Sequence, residues 1–249
     1  MFSWPAGFFP MLTWGVWSFR SWSAKPTHPL LVQSKEYFSH LDLNHSLSEY
    51  GFVVLDTELT GLNIKKDELV SLGAVRIKEM RIDIQDSLYL YTCPSKEVPK
   101  QSTLIHYITP EQVRQAPPLE DMLLKLLDYC GHSLIVGHNI KLDMSVINRD
   151  LRKYFGGVLN NLCIDTMHLA RIYLEGPWGG GTSTECYDPE SSYNLRKLSQ
   201  DFGLPLFPEH DALADAMQTA YLFLFLVHKL QGNSTWSLKD LYKAAGSKI

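Results

Sequence analysis

The sequence lacks several features that would assign a function class at once. It has no C-x-x-C pair, no internal repeat and no excess of basic residues, since 23 lysines and arginines stand against 27 acids, a formal net charge of −4. A protein that coats nucleic acid through a broad positive surface is therefore excluded. The four cysteines are far apart, which argues against a zinc knuckle and fits a reducing compartment. We therefore expect a cytoplasmic protein.

The first 23 residues are unusually aromatic, with four of the six tryptophans and no charge before Arg20. They lack the basic start of a secretory signal, and Pro5 and Pro10 interrupt the apolar run, so we predict no signal peptide and no transmembrane segment. One interpretation is a short helix near 11–19 that packs on the domain. The other is an interfacial anchor or partner-docking arm, because tryptophan favours boundaries between water and apolar surfaces.

The rest of the chain alternates between strand and helix patterns. Short apolar or alternating runs predict strands at 51–57, 70–79, 81–92, 133–139 and 161–166, with a tight turn near Met80. Helical spacing predicts helices near 33–45, twice within 110–131, at 141–155, after 166, at 193–203 and at 211–230. This order predicts an α/β sandwich with a mixed sheet. We divide the chain into an extension and linker (1–49), a central domain (50–231) and a C-terminal tail or short helix (232–249).

Two acids end the first predicted strand. Asp56 and Glu58 follow the apolar run FVVL, and alternation along a strand places them on the same face, about 7 Å apart. Two unpaired carboxylates repel each other and resist desolvation, and a bound divalent cation would relieve both costs. Alone, this D-x-E pattern is also typical of a solvated strand end.

Further acids and histidines lie at the starts of two later helices. Asp143 lies in the first turn of a helix, after His138 and Asn139 at the exit of a buried strand. In HDALADA, His210 just before the last long helix and Asp215 one turn inside it can converge on one point. Asp211 and Asp165 are expected to be helix caps.

The combined spacing resembles the DEDDh 3′–5′ exonucleases, the family that includes the proofreading subunits of bacterial replicative polymerases. The resemblance covers roughly 50–230 in family order and fills all five catalytic positions of the histidine branch. The matching stretches are FVVLDTELTGL (52–62), VPKQSTLIHYITPEQVRQAPP (98–118), IVGHNIKLDMSVIN (135–148), CIDTMHLAR (163–171), YNLRKLSQDFGL (193–204) and HDALADAMQTAYLF (210–223). It implies a ribonuclease H-like, mixed five-stranded sheet flanked by helices, with the exonuclease domain at 50–231.

The resemblance also implies residue roles. It assigns two divalent metal ions, Mg²⁺ or Mn²⁺, to four acids: Asp56, Glu58, Asp143 and Asp215. His210 would be the general base, and the product would be a nucleoside 5′-monophosphate released from the 3′ end of single-stranded DNA. The terminal nucleotide would contact a loop with Leu62 as a wedge and Gly61 permitting close approach, through Thr57, Thr60, Gly61 and Leu62. His138 and Asn139 would shape the pocket that positions Asp143.

Two other functions stay open. The first is an RNA-directed exonuclease of the same fold, akin to ribonuclease T or oligoribonuclease, and the second is a non-catalytic, polymerase-docking module. A polymerase partner, in proofreading or repair, is implied by the family alone. The loop 175–192 is longer than the family pattern, which puts substrate access there in doubt. The segment 200–207 (QDFGLPLF) faintly resembles a sliding-clamp peptide, but we expect Leu204, Leu206 and Phe207 to pack under the last helix.

Overall fold

The computed structural model describes residues 25–176 and 193–244. The predictions for residues 1–23 and for nearly all of the loop 175–192 lie outside these ranges. The described strands, numbered along the chain, are β1 (Phe52–Leu59), β2 (Leu69–Lys78), β3 (Arg81–Tyr91), β4 (Leu134–Gly137) and β5 (Cys163–Asp165). The described helices are α1 (Pro29–Ser39), α2 (Lys100–His106), α3 (Pro110–Arg114), α4 (Leu119–Cys130), α5 (Lys141–Phe155), α6 (Thr166–Glu175), α7 (Leu195–Asp201), α8 (Ala212–Gln231) and α9 (Leu238–Ala244), with a 3₁₀ turn at Leu47–Glu49.

The five strands form one mixed sheet, which confirms the predicted fold. Its order is β3-β2-β1-β4-β5. The pairs β3–β2 and β2–β1 are antiparallel, whereas β1–β4 and β4–β5 are parallel. The hairpin turns where the sequence predicts, since Glu79 and Met80 both have left-handed backbones with φ of 50° and 58°. The carboxyl ends of β1, β4 and β5 therefore meet at one edge of the sheet.

Helices cover both faces of this sheet. Along β1, Phe52 and Val54 face a core built with α6, α7, α8 and α9, whereas Val53 and Leu55 face one built with α1, α4 and α5. The short helix α9 buries Leu238, Leu241 and Tyr242 in the first of these cores. The division at residue 231 stays a prediction. In the described part of the chain, we find no helix with the length and apolar character needed to cross a bilayer.

Two local predictions are wrong, and one helix has no counterpart among the predictions. The first described helix runs from Pro29 to Ser39, not near 33–45, because the side chain of His28 caps its first turn. The helix α2 was not predicted, since KQSTLIH leaves Leu104 and Ile105 exposed and shows no apolar stripe. Leu206 is 47% exposed rather than packed. Leu204 does border the core, and the ring of Phe207 stacks on Tyr221 at 5.8 Å.

Candidate active site

The start of α8 lies directly against β2, and this contact brings two acids together. Gly73 of β2 pairs with Asp56 of β1, and a Cβ on Gly73 would lie 2.2 Å from the backbone carbonyl carbon of Ala212. Only glycine therefore permits this approach. The contact sets the first turn of α8, which carries Asp215, beside Asp56. The N–H of His210 donates to Oδ2 of Asp215 at 2.8 Å, which fixes this carboxylate.

Asp143 reaches the same place from the other side of β1. It lies in the first turn of α5, which follows β4, the parallel neighbour of β1. The Thr57 hydroxyl donates to Oδ1 of Asp143 at 2.5 Å. Asp143 is only 8% exposed. Burial raises its pKa to about 6, against the lowering effect of the Thr57 hydrogen bond.

The four acids destabilise one another when they are ionised. Burial first, and then the charges of Asp143, Asp215 and Glu58, raise the pKa of Asp56 well above its ordinary value. Burial and the charges of Asp215 and Asp143 raise the pKa of Glu58 to about 8. Burial raises the pKa of Asp215 to about 6, although the hydrogen bond from His210 opposes this.

No lysine or arginine in the described ranges forms an ion pair with any of these four acids. A cluster of carboxylates without a basic partner fits a divalent metal such as Mg²⁺ or Mn²⁺, whose preferred ligands are carboxylate oxygens. Ligand atoms of Glu58, His210 and Asp215 all lie within 4.8 Å of one another. The donor set therefore suits the divalent metals that the sequence resemblance implies.

His210 lies at the mouth of the cluster. Its backbone is left-handed, with φ of 61°, and its side chain is exposed. A pocket of about 300 Å³ opens beside it, lined by Asp56, Asp215, Asn139 and Phe207 among others. The exposed imidazole thus faces solvent beside carboxylates that are half-buried or buried.

His138 and Asn139 connect the strand ends behind the pocket. The two ring nitrogens of His138 hydrogen-bond with the Thr166 hydroxyl at 2.9 Å and the Tyr193 carbonyl at 2.8 Å. Burial lowers the pKa of this imidazole, although the hydrogen bond to the Tyr193 carbonyl opposes this. The N–H of Asn139 donates to Oδ1 of Asp165, which also caps α6 as predicted. These contacts hold β4, α6 and Tyr193 together behind the carboxylates.

The residues predicted to contact the substrate on the loop after β1 differ in how exposed they are. The Thr60 hydroxyl donates to Asp67 at 3.1 Å, and a Cβ on Gly61 would lie 2.6 Å from Oδ2 of Asp67. The structure therefore uses Thr60 and Gly61 inside the loop, around Asp67. Leu62, by contrast, is 81% exposed at the tip. Of these three residues, Leu62 has the most exposed side chain.

Sequence reasoning missed several residues beside the site. His106 is 4% exposed, its Nδ1 accepts from the N–H of Ile108, and its Nε2 has no hydrogen-bond partner among the residues that the structure describes. It lines a pocket of about 410 Å³ with Tyr107 and His210. The Tyr89 hydroxyl donates to Asp211, whose side chain also caps α8 as predicted. Nothing in the local pattern marks His106, because the pocket that it lines is completed by residues at the distant start of α8.

This sheet, with acids gathered at the carboxyl end of β1, defines a nuclease-type hydrolase. A profile of the Exonuclease (RNase T) family matches residues 53–223, and the chain belongs to that family. It is a 3′–5′ exonuclease, as the sequence resemblance predicts.

The relatives are replication proteins. DNA polymerase III subunit epsilon of Aquifex aeolicus is 28% identical over 190 residues, which cover 76% of this chain and 87% of that protein. The PolC-type DNA polymerase III of Thermotoga petrophila is 31% identical over 202 residues, 81% of this chain but only 14% of that protein.

Solved exonucleases share the fold. The E. coli exonuclease I complex with single-stranded DNA has a TM-score of 0.63 at 21% identity, over 77% of this chain and 42% of that one. Exonuclease X in complex with 5′ overhanging duplex DNA has a TM-score of 0.56 at 23% identity, over 78% and 99%.

Proposed function

We propose that the chain removes nucleotides one at a time from the 3′ end of single-stranded DNA and releases nucleoside 5′-monophosphates. The observation that carries this proposal is the convergence of Asp56, Glu58, Asp143 and Asp215 beside His210. Four acids without a basic partner, next to an exposed imidazole, suit phosphodiester hydrolysis and have no evident structural purpose.

We assign the metal sites to the four carboxylates. Two divalent ions, Mg²⁺ or Mn²⁺, would be held by Asp56, Glu58, Asp143 and Asp215. When bound, they neutralise charge on the reacting phosphate and orient the attacking and leaving oxygens. Thr57 fixes the orientation of Asp143 through its hydroxyl, and the N–H of His210 does the same for Asp215.

His210 is the proposed general base. Its imidazole nitrogen takes a proton from the attacking water as the new oxygen–phosphorus bond forms and the bond from phosphorus to the 3′ oxygen breaks. The 3′ oxygen of the shortened strand ends as a hydroxyl. Leu62 packs against the terminal base, which favours an unpaired end and gives weak sequence preference.

The relatives support a role with a polymerase, in proofreading or repair. The epsilon subunit matches this chain over most of both lengths, and PolC contains the same unit within a polymerase. We therefore propose a DNA polymerase subunit as the partner.

The thiols of Cys93, Cys130 and Cys163 are free, which supports a reducing, cytoplasmic location.

The test is a ladder assay with 5′-labelled DNA and RNA of the same sequence, in Mg²⁺, Mn²⁺ or EDTA. We expect DNA to shorten from its 3′ end, with the ladder absent in EDTA and with an Asp56→Asn variant. Shortening of RNA alone would replace the DNA proposal by the exoribonuclease function. Cleavage of neither strand by folded protein would contradict the catalytic assignment and favour the docking module.

A further inference from the structure

A basic groove runs beside the loop that carries Leu62. It has a volume of about 450 Å³ and lies between that loop, the segment 92–96, the start of α4 and the second half of α5. Five basic and three acidic side chains line it, although the whole chain carries a net charge of −4. The basic side chains are Lys65, Lys66, Lys96, Arg149 and Lys153. The groove is therefore positive on a negative protein.

Two of the three acids are already used by the protein. Asp150 accepts two hydrogen bonds from the Arg149 guanidinium, at 2.7 and 2.8 Å. Glu68 accepts from the N–H and the hydroxyl of Ser95. The third acid, Glu120, lies in the first turn of α4, where the helix dipole favours it.

The lysines, by contrast, are exposed. Lys65, Lys66, Lys96 and Lys153 form no ion pair with an acid within the ranges that the structure describes. Lys153 lies over the ring of Tyr154, with its Nζ 4.7 Å from the ring centre. Four ammonium groups that share one groove without an acidic partner suit a ligand with a row of anionic groups.

The groove and the carboxylate cluster share one rigid support. Arg149 of α5 donates to the carbonyls of Ile64 and Asp67, which ties the loop to the helix that carries Asp143. At 1.5 Å per helical residue, Arg149 and Lys153 lie roughly 9 and 15 Å along α5 from Asp143. At 3.4 Å per nucleotide of a stacked strand, this span corresponds to roughly three to four phosphates.

On the basis of the proposed function, we infer that this groove binds the phosphates of the substrate strand itself, about three to four nucleotides 5′ of the bond that is cut. Leu62 lies at the tip of the same loop. Along the chain it stands between Glu58 of the carboxylate cluster and Lys65 of the groove. Lysine contacts of this kind hold the strand without reading its bases. The groove thus favours long strands over dinucleotides.

The experiment compares two double variants with a matched control. Lys65→Gln with Lys66→Gln, and Lys96→Gln with Lys153→Gln, remove two charges each from the groove. The control, Lys35→Gln with Lys239→Gln, removes two exposed lysines from α1 and α9, which lie outside it. Each protein is assayed on a single-stranded DNA 20-mer and on a dinucleotide, at 50–200 mM salt, after its melting temperature is checked.

We expect each groove variant to raise KM for the 20-mer about tenfold, with kcat nearly unchanged and the dinucleotide unaffected. The slope of log affinity against log salt should fall in magnitude by about 1.4, since each lost contact with a single strand contributes about 0.7. Equal slopes in groove and control variants would overturn the inference. A primer–template duplex is assayed in parallel, and a loss seen there but not on the single-stranded 20-mer would overturn the inference too and would assign the groove to the complementary strand.

A binding arm separates this inference from the proposed function. Fluorescence anisotropy of a labelled 20-mer in EDTA measures strand binding without cleavage. If the wild type cleaves neither substrate but binds the 20-mer, and the groove variants lose about 1.4 of its salt slope, the proposed function fails and the groove stands. If it cleaves the dinucleotide while the groove variants bind the 20-mer as well as the control does, the groove assignment fails alone.

Discussion

Asp150 and Asp56 are both acids on which burial imposes a cost, but the protein treats them differently. The side chain of Asp150 is 5% exposed and lies 2.7 Å from the guanidinium of Arg149. Asp56 has three other acids of the cluster as its electrostatic neighbours, and they raise its pKa further. The chain thus neutralises a structural acid with an arginine, whereas the acids of the cluster have no lysine or arginine partner in the described ranges, as a metal site requires. Acids that are buried without a basic partner indicate a functional site, whereas an acid paired with an arginine supports the fold.

Removing one acid of the cluster should have the largest effect. We expect Asp56→Asn to lower kcat/KM by more than about 10³-fold, because the metals lose a ligand that supplies several kcal/mol of transition-state stabilisation. The fold should survive, and the melting temperature in EDTA should be no lower than that of the wild type, since one repelling charge is gone. Steady-state kinetics and thermal melting measure the two effects.

Asp211→Asn is the matched control. Asp211 lies in the field of the same cluster, but it caps α8 and accepts from Tyr89, and asparagine also caps helices well. We expect its activity to stay within about tenfold of wild type, since general charge is not what the metals require. Equal losses in both variants would remove the ligand assignment of Asp56.

The proposed base is next in magnitude. His210→Ala should lower kcat by about 10²–10⁴-fold and remove the acidic limb of the pH–rate profile. Because φ at this position is 61°, alanine also strains the backbone, so His210→Asn separates the two effects. Asparagine tolerates this conformation but cannot take the proton. An unchanged pH profile in His210→Asn, with only KM altered, would show that His210 binds substrate instead.

Breaking the ion pair between Asp150 and Arg149 should destabilise the fold rather than remove the activity. Asp150→Ala leaves Arg149 partly buried without its carboxylate, and such a loss costs about 3–5 kcal/mol of the free energy of unfolding. Urea unfolding measures it. The exposed pair of Asp83 and Lys78 is the control, and Asp83→Ala should cost at most about 1 kcal/mol. A loss below about 1 kcal/mol for Asp150→Ala would show that Arg149 needs no acid there.

Patterns in the sequence predict the elements but not the network between them. The bounds of α5, 141–155, are predicted to the residue, because its apolar spacing and the glycine at 156 mark both the face and the end. The hairpin at Met80 and the caps Asp165 and Asp211 are predicted equally well. Each of these signals lies within a few residues of the feature that it marks.

The hydrogen bonds that support the loop after β1 could not be predicted. Arg149 bonds to carbonyls 82 and 85 positions away, and Asp67 organises Thr60 and Asn63 by side-chain contacts that follow no period. Gly61 shows the consequence. The resemblance assigns Gly61 to close approach of the substrate, whereas the group that a Cβ there would meet is the side chain of Asp67.

The smallest expected effect is the gain in stability on metal binding, and the effect of pH on the metal-free protein sets its background. Folding raises the pKa values of the cluster, to about 8 for Glu58 and about 6 for Asp143 and Asp215, so between about pH 4 and pH 8 the native state binds more protons than the unfolded chain. The free energy of unfolding in EDTA should therefore fall as pH rises through this window.

A divalent ion at 100 times its Kd should restore about 2.7 kcal/mol at pH 8, or about 5–10 °C in melting temperature. Asp56→Asn should show a shallower fall in EDTA and a smaller gain with Mn²⁺, whereas Asp83→Asn should match the wild type. A wild-type free energy of unfolding that rises with pH in EDTA would mean that charge repulsion does not destabilise the cluster. Equal Mn²⁺ gains in all three proteins would mean that the ion binds elsewhere.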